Sequence, residues 1–234
     1  MGRRGGRFSG MAGAEGYLQK ALEIAQRAAE TQVGPIRVAA GLVVEALTAG
    51  KRFWVFGTGH SHALAEELYG RAGGLADVRA VLEPGLMLHE GLQKSSLLER
   101  LPGLADVLLE INEIAAGDVV LIASNSGRNA VPVEFALGAR KRGAQVIVLT
   151  SMAHSTATTS RAPGGQRLFE TADVVIDNCG VPGDALIEVN GSPEKTGATS
   201  TMVGAMLVQA LTVEIVTRLT ERGETPNVLR SLNG

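Results

Sequence analysis

Two rhythms of hydrophobic and polar positions alternate along the chain. Short, mostly apolar blocks occur at 52–56, 77–82, 119–123, 145–149 and 173–177. Each is short and bounded by polar or glycine-containing turns, the pattern of strands buried on both faces. Between them the apolar positions recur at helical spacing. Tyr17, Leu18, Ala21, Leu22, Ala25 and Ala28 predict a helix over 14–31, and Gly34-Pro35 breaks it. Pro35 suits the first turn of a second helix running to Thr48 and ending at Gly50. Further helices are predicted over 61–70, over 97–112 around Pro102-Gly103, over 130–141 ending at Gly143, briefly at 167–171, and over 199–222. Residues 83–96 read as a long loop, 151–166 as an irregular, lid-like segment, 184–189 as a further edge strand, and 223–234 as an extended tail. Alternating strands and helices with right-handed crossovers predict an α/β protein: a three-layer α/β/α sandwich, flavodoxin-like, around a parallel five-stranded sheet. The N-terminal helices are expected to pack on this domain or on a partner subunit.

Three of the predicted strands end in hydroxyl-rich loops. Residues 118–129 read as a strand running into Ser124-Asn125-Ser126-Gly127, with a helix following at once. Residues 54–61 end in Gly, Thr, Gly, His and Ser, and 146–155 end in Thr150, Ser151, His154 and Ser155. Free N–H groups and the dipole at a helix start favour an anion, and serine and asparagine side chains add donors. Taken singly, each loop is an ordinary cap and turn. In a parallel sheet, however, all three meet on one edge, where ligands bind. With almost no basic charge, that edge suits one small phosphorylated ligand. The second loop has no GxxxxGK[ST] pattern, so it is not a nucleotide P-loop. Gly57-x-Gly59 lacks the third glycine of a dinucleotide fingerprint, since position 62 is His.

Composition narrows the class. The chain has 234 residues, 45% hydrophobic and 20% charged, with a formal net charge of −2. Such a chain buries a sizeable core and carries no electrostatic footprint for nucleic acid or anionic membrane. The first two helices resemble a DNA-binding helix pair only in outline, because they carry too few basic residues and no third helix. Cys179 is the single cysteine; it excludes an intramolecular disulfide and suits a reducing, cytoplasmic setting. The uncharged run 196–213 carries Thr199, Ser200, Thr201 and Gln209 and reads as a buried helix, not a membrane span. Residues 1–10 are basic and glycine-rich without an apolar core, so 1–11 is read as a flexible extension, with Met11 an alternative start. The expected division is a helical segment at 12–50, a ligand-binding domain at 51–222 and a tail at 223–234.

The loops Gly57-Thr58-Gly59-His60-Ser61, Ser124-Asn125-Ser126-Gly127-Arg128-Asn129 and Thr150-Ser151 together resemble the motifs of the SIS (sugar isomerase) domain family. The resemblance covers residues 51–222, most of the chain. It is closest to small stand-alone members near the phosphoheptose isomerases, and to an uncharacterised bacterial subgroup with the run GHSHALAEELYGRAGG. Asn129 departs from the Ser or Thr usual in the family. The resemblance implies a phosphorylated sugar as ligand, held by Gly59, Ser61, Ser124, Asn125, Ser126, Gly127, Asn129, Thr150 and Ser151. It also implies aldose–ketose isomerisation through an enediolate. The alternatives are a non-catalytic sugar-phosphate sensor, and lyase or deaminase-type chemistry on an amino-sugar phosphate.

Isomerisation needs a carboxylate to move a proton between adjacent carbons. Glu194 is the first candidate, because family isomerases place a base glutamate just before a similar small-residue helix start. Glu67 lies on the helix after the first loop, near a functional histidine of the phosphoheptose isomerases. Glu90 lies on a loop able to reach a neighbouring subunit. His60, inside the first loop, is a candidate acid/base or hydroxyl contact. Glu188 is a fallback, and each of these is also readable as a solvated charge. His62 and Glu66 stand i, i+4 on one helix face, a spacing able to hold a metal. Some phosphoheptose isomerases use a His/Glu pair on this helix for zinc. Here the pair is shifted against the AEEL run, and Gln209 stands where that family places a histidine. No metal and no other cofactor are therefore expected. His89 and His154 read as polar loop residues. The apolar last helix points to subunit packing, and a homodimer or homotetramer is expected.

Overall fold

The computed structural model describes residues 13–231; the expected extension at 1–11 lies outside them. Helices α1 (Ala14–Thr31) and α2 (Val33–Thr48) precede strand β1 (Phe53–Gly57). Helix α3 (His62–Leu68) leads to β2 (Val78–Val81), and α4 (Leu92–Leu98) and α5 (Leu104–Ile111) lead to β3 (Val119–Ala123). Then follow α6 (Ala130–Lys141), β4 (Gln145–Thr150), α7 (Met152–Thr156) and β5 (Val174–Asp177). Strands β6 (Ala185–Ile187) and β7 (Thr196–Ala198) precede α8 (Ser200–Glu221).

The main sheet is parallel throughout, in the order β2-β1-β3-β4-β5. This is the flavodoxin-like order expected from the pattern, and it reverses direction between β1 and β3. The register runs from Phe53 beside Val119 to Gly57 beside Ala123, so the loops leaving these strands stand abreast. The Asp118 carboxylate fixes the opposite end of the pair. It accepts from the Arg52 backbone at 3.0 Å, the Trp54 indole at 3.1 Å and the Ala115 backbone at 3.1 Å.

Alternate strand residues sort into two cores, as a period of two requires. Phe53, Val55, Leu121 and Leu149 pack with α2, α3 and α8. Trp54, Phe56, Val120, Ile122 and Val148 pack with α5 and α6, where Phe56 stacks on Phe135 at 4.3 Å between ring centroids. The N-terminal helices therefore pack on this domain, with α2 against α8 and the sheet. Helix α8 is long and apolar enough to cross a membrane, yet Val203, Leu207, Val208, Leu211 and Ile215 bury it in the first core.

Four expectations are corrected in detail. The loop at 83–96 already contains most of α4, with Ser95 donating to the Leu86 carbonyl at 2.8 Å. The helix expected at 97–112 is two, because Pro102 interrupts it and Gly103 adopts a left-handed φ of 85°. The lid-like segment opens with α7, whose first turn is capped by Ser151. Strand β6 does not extend the sheet; it pairs antiparallel with β7 in a separate ribbon before α8. The tail folds back on its own chain, with Val228 bridged to Leu75.

Candidate functional site

The C-terminal edge of the sheet gathers the three loops. Gly57 ends β1 where a Cβ would strike the Ser61 carbonyl and crowd the His62 nitrogen, so the chain turns at once into a 3₁₀ turn (Gly59–Ser61) and then α3. Gly59 and Gly127 hold φ of 56° and 55°, positions that favour glycine. Ser61, Ser124 and Asn125 line a narrow recess of only about 10 Å³, closed by Asn178, Ser200, Thr201, Leu64 and Leu149. A larger concavity of about 650 Å³ lies around Lys51, Asp77 and Thr225, at the opposite ends of the strands. Position in the fold favours the smaller recess, since doubly wound sheets bind ligands at their C-terminal strand ends.

The expected ligand-loop residues divide into two kinds. Ser61 and Ser126 are half-buried, and their hydroxyls have no protein partner among the described residues. Ser124 accepts from the Gly127 backbone at 3.2 Å, tightening the second loop around its glycine. Thr150 and Ser151 are fully buried and already engaged. The Thr150 hydroxyl lies 2.7 Å from that of Ser155, and Ser151 donates to the Gly180 carbonyl at 2.7 Å. The Asn125 carbonyl accepts from the Ser151 backbone at 3.2 Å, and its side-chain oxygen accepts from Asn178 at 2.9 Å. The third loop is thus a strut that holds the second in place.

The start of α8 completes the recess. The Asp184 carboxylate accepts from the backbones of Thr199 and Ser200 at 3.1 and 3.0 Å, and from the Ser200 hydroxyl. The first bond of the helix runs from Val203 to the Thr199 carbonyl, which leaves the Thr201 and Met202 N–H groups without intrahelical partners. The Thr199 hydroxyl is buried and unpaired.

Beside the first two loops lies a polar network that the sequence reading missed. Glu99, at the end of α4, accepts from the Thr58 hydroxyl at 2.9 Å and from the Asn129 amide at 2.6 Å. Asn129 in turn accepts from Arg161 at 3.3 Å, so its side chain bridges Glu99 and Arg161. Burial pushes the Glu99 carboxyl above the usual carboxylate range; the Thr58 hydrogen bond and the charges of Arg100 and Arg161 oppose that shift. Arg128 donates to the Thr159 carbonyl at 3.0 Å, and the Arg161 backbone to the Arg128 carbonyl at 2.6 Å, strapping the 159–161 stretch over this network. The edge is accordingly more basic than the loops alone indicated. A carboxylate in the last turn of a helix opposes the helix dipole, and that was the available signal for Glu99.

The nominated acid/base residues are dispersed. Glu67 is half-buried on α3, pairs with Arg71, and accepts from Gln209 of α8 at 2.9 Å. Glu194 is exposed in the turn between β6 and β7. Glu90 is exposed and paired with Lys94, Glu188 pairs with Lys195 at 2.9 Å, and His60 is exposed in the 3₁₀ turn. None of them lines the recess. Cys179 is half-buried, and burial raises its thiol above the ordinary range, which fits the structural role expected of it. His62 pairs with Glu66 as its spacing implied, and His89 joins them from the segment after β2.

Comparison with known proteins places this geometry. The family model described as SIS domain matches residues 16–151. A UPF0309 protein of Halalkalibacterium halodurans is 50% identical over 204 residues, covering 87% of this chain and 84% of its own. A UPF0309 protein of Caldanaerobacter subterraneus is 40% identical over 220 residues, covering 93% and 89%. Among solved structures, a phosphoheptose isomerase from Francisella tularensis superposes with a TM-score of 0.57 at 18% identity, over 87% of this chain and 96% of that one. The Vibrio vulnificus NanR protein complexed with ManNAc-6P superposes with a TM-score of 0.52 at 20% identity, over 88% and 63%. These likenesses are of fold. Through the match over more than half its length and through these relatives, the chain belongs to the SIS domain family and, within it, to the UPF0309 proteins.

Proposed function

We propose that the protein binds a phosphorylated sugar at the C-terminal sheet edge and isomerises it between aldose and ketose. The observation that carries this reading is the recess itself. The unpartnered hydroxyl of Ser61 and the start of α8 line it, Ser126 carries a second unpartnered hydroxyl on the same loop as Ser124, and Thr58 and Asn129 of these loops hold the half-buried Glu99 carboxyl, whose pKa burial raises. The phosphate takes the hydroxyl and N–H donors, and the sugar extends toward Thr58, Glu99 and Asn129. Glu99 is the base of this reading: it removes the proton from the carbon beside the carbonyl, leaving an enediolate, and returns it to the neighbouring carbon. Burial brings such a carboxyl closer to working pH. Arg161 faces the developing negative charge. The SIS family membership and the phosphoheptose isomerase neighbour support the same ligand class.

A sensor reading competes on one observation: Glu194, Glu90 and His60 are exposed and away from the recess lining. A thermal-shift screen of phosphorylated sugars identifies the ligand. Deuterium wash-in from heavy water at C1 or C2 of the hit then separates the readings. Exchange that is lost in Glu99→Gln, with binding kept within a few-fold, supports the isomerase; a wild type that binds and never exchanges leaves the sensor. We also infer a homo-oligomer. Met202, Met206 and Val213 on α8, and Leu18 and Leu22 on α1, leave apolar surface exposed.

A further inference from the structure

His62, Glu66 and His89 converge although they come from two separate segments. His62 and Glu66 lie one turn apart on α3, and His89 lies on the stretch between β2 and α4. Their ligand atoms all fall within 4.8 Å of one another. His62 Nε2 is 3.7 Å from Glu66 Oε1, and His89 Nε2 is 3.8 Å from the same oxygen. The two rings meet edge to face at 5.2 Å.

Hydrogen bonding makes this arrangement informative. The His62 side chain is buried, and its Nδ1 is hydrogen-bonded to the Gly59 carbonyl. A carbonyl can only accept, so Nδ1 is the donor of that bond and Nε2 is the ring atom turned toward the Glu66 carboxylate. Nε2 of His89 is turned toward the same oxygen, so two imidazole nitrogens and a carboxylate oxygen from two segments converge on one point. Among the described residues the ion-pair partners of Glu66 are these two histidines, with no lysine or arginine to neutralise it. A backbone carbonyl holding the far nitrogen of a ligand histidine is also the usual support of a metal site.

We propose that His62 Nε2, Glu66 and His89 Nε2 bind one zinc ion. Imidazole and carboxylate ligands suit zinc, and two histidines with one glutamate leave a fourth position for water or a ligand oxygen. Tetrahedral zinc holds such atoms about 3.3–3.5 Å apart, so the carboxylate-to-imidazole distances need to close by roughly 0.4 Å. The His89 side chain is 62% exposed, so most of that movement falls to it. The third ligand comes from the chain after β2, not from the last helix, where Gln209 is occupied with Glu67. The ion pins that segment to α3 at His62, the residue after Ser61 of the ligand recess.

The test uses untagged, full-length protein, stripped with chelator and titrated with zinc chloride by calorimetry, and with cobalt(II) by visible absorption. The expected result is one ion per chain and a cobalt spectrum of nitrogen/oxygen ligation. Glu66→Gln and His89→Asn should each weaken binding by at least about tenfold, the lower end of what even supporting groups of metal sites contribute. Both changed side chains are exposed, so the metal-free variants should melt with the wild type. Zinc should raise the melting temperature of the wild type and of His154→Asn, and not that of His89→Asn. The proposal fails if no saturable binding occurs up to about 100 μM zinc, far above the range of built zinc sites. It also fails if either ligand variant binds as the wild type does.

Discussion

Ser151 and Ser126 belong to loops that the sequence treats alike, and the structure gives them opposite roles. Ser151→Ala removes a fully buried hydroxyl that donates to the Gly180 carbonyl and accepts from the His154 backbone as the cap of α7. Stranding a buried carbonyl costs about 1–3 kcal/mol, and losing the cap about 1 kcal/mol more. For a domain of this size that sum lowers the melting temperature by about 5–15 °C. Ser126→Ala removes a half-buried hydroxyl with no protein partner, so its stability should stay within about 0.5 kcal/mol of the wild type. Its loss falls on the ligand instead. A hydrogen bond to a charged phosphate contributes about 1.5–3 kcal/mol, or about 10–150-fold in affinity. Differential scanning fluorimetry measures the first effect, and calorimetry with the phosphorylated sugar from the screen measures the second. An unaltered melting temperature in Ser151→Ala would refute the strut. Equal weakening of the phosphorylated and unphosphorylated sugar by Ser126→Ala would refute the phosphate contact.

Glu99→Gln carries a pH signature. A carboxyl raised on folding weighs against the folded state above its folded pKa, and ceases to once both states are protonated. The variant should therefore be more stable than wild type at neutral pH, with the gain fading as pH falls through the raised folded pKa and gone below about pH 4; denaturant unfolding at several pH values reads this, and a gain that grows in acid contradicts it. In the exchange assay Glu99→Gln should lose about two decades or more, while Glu194→Gln and Glu90→Gln stay near wild type; the reverse ranking returns the base to the β6–β7 turn. Gly57→Ala forces a Cβ against the Ser61 carbonyl, and should abolish sugar binding before it unfolds the protein, as ligand-induced melting shifts will show. Sedimentation should give a species larger than the 24.3 kDa chain at micromolar concentration, and a monomer there rules out the proposed assembly.

The main sheet was legible because its strands are short, mostly apolar blocks set off by polar and glycine-containing turns. The limits of β3 and α6 emerged as read, since Asp118, Ser124 and Asn129 punctuate them sharply. Of the β6–β7 ribbon only β6 was read, as an edge strand of the sheet; its partner β7 was not, because a three-residue strand carries almost no periodic signal. Within the site, the loops were visible as motifs, but the division of labour inside them was not. Whether a serine hydroxyl is spent on Gly180 or left open depends on contacts 29 residues away. Glu99 and His89 were missed for the same reason. Each lies in a polar stretch that looks solvated, and becomes informative only when α4 and the segment before it fold against the loops of other strands.

The pairing of β1 with β3 also bears on how the protein acquires its site. These strands are separated by α3, β2, α4 and α5 in sequence, and β2 occupies the outer side of β1. In a chain made from its N-terminus β1 and β2 are complete before β3, and the inner side of β1 then has no strand to pair with. Until β3 arrives and Asp118 locks onto Arg52 and Trp54, the two ligand loops have no common frame. Closing so long a stretch of chain is slow, and nothing local rewards it beforehand. Ligand competence should accordingly appear late and all at once in refolding. A bound sugar phosphate would then favour the folded state of the whole α/β unit, acting as a chemical chaperone for the chain rather than as a stiffener of one loop.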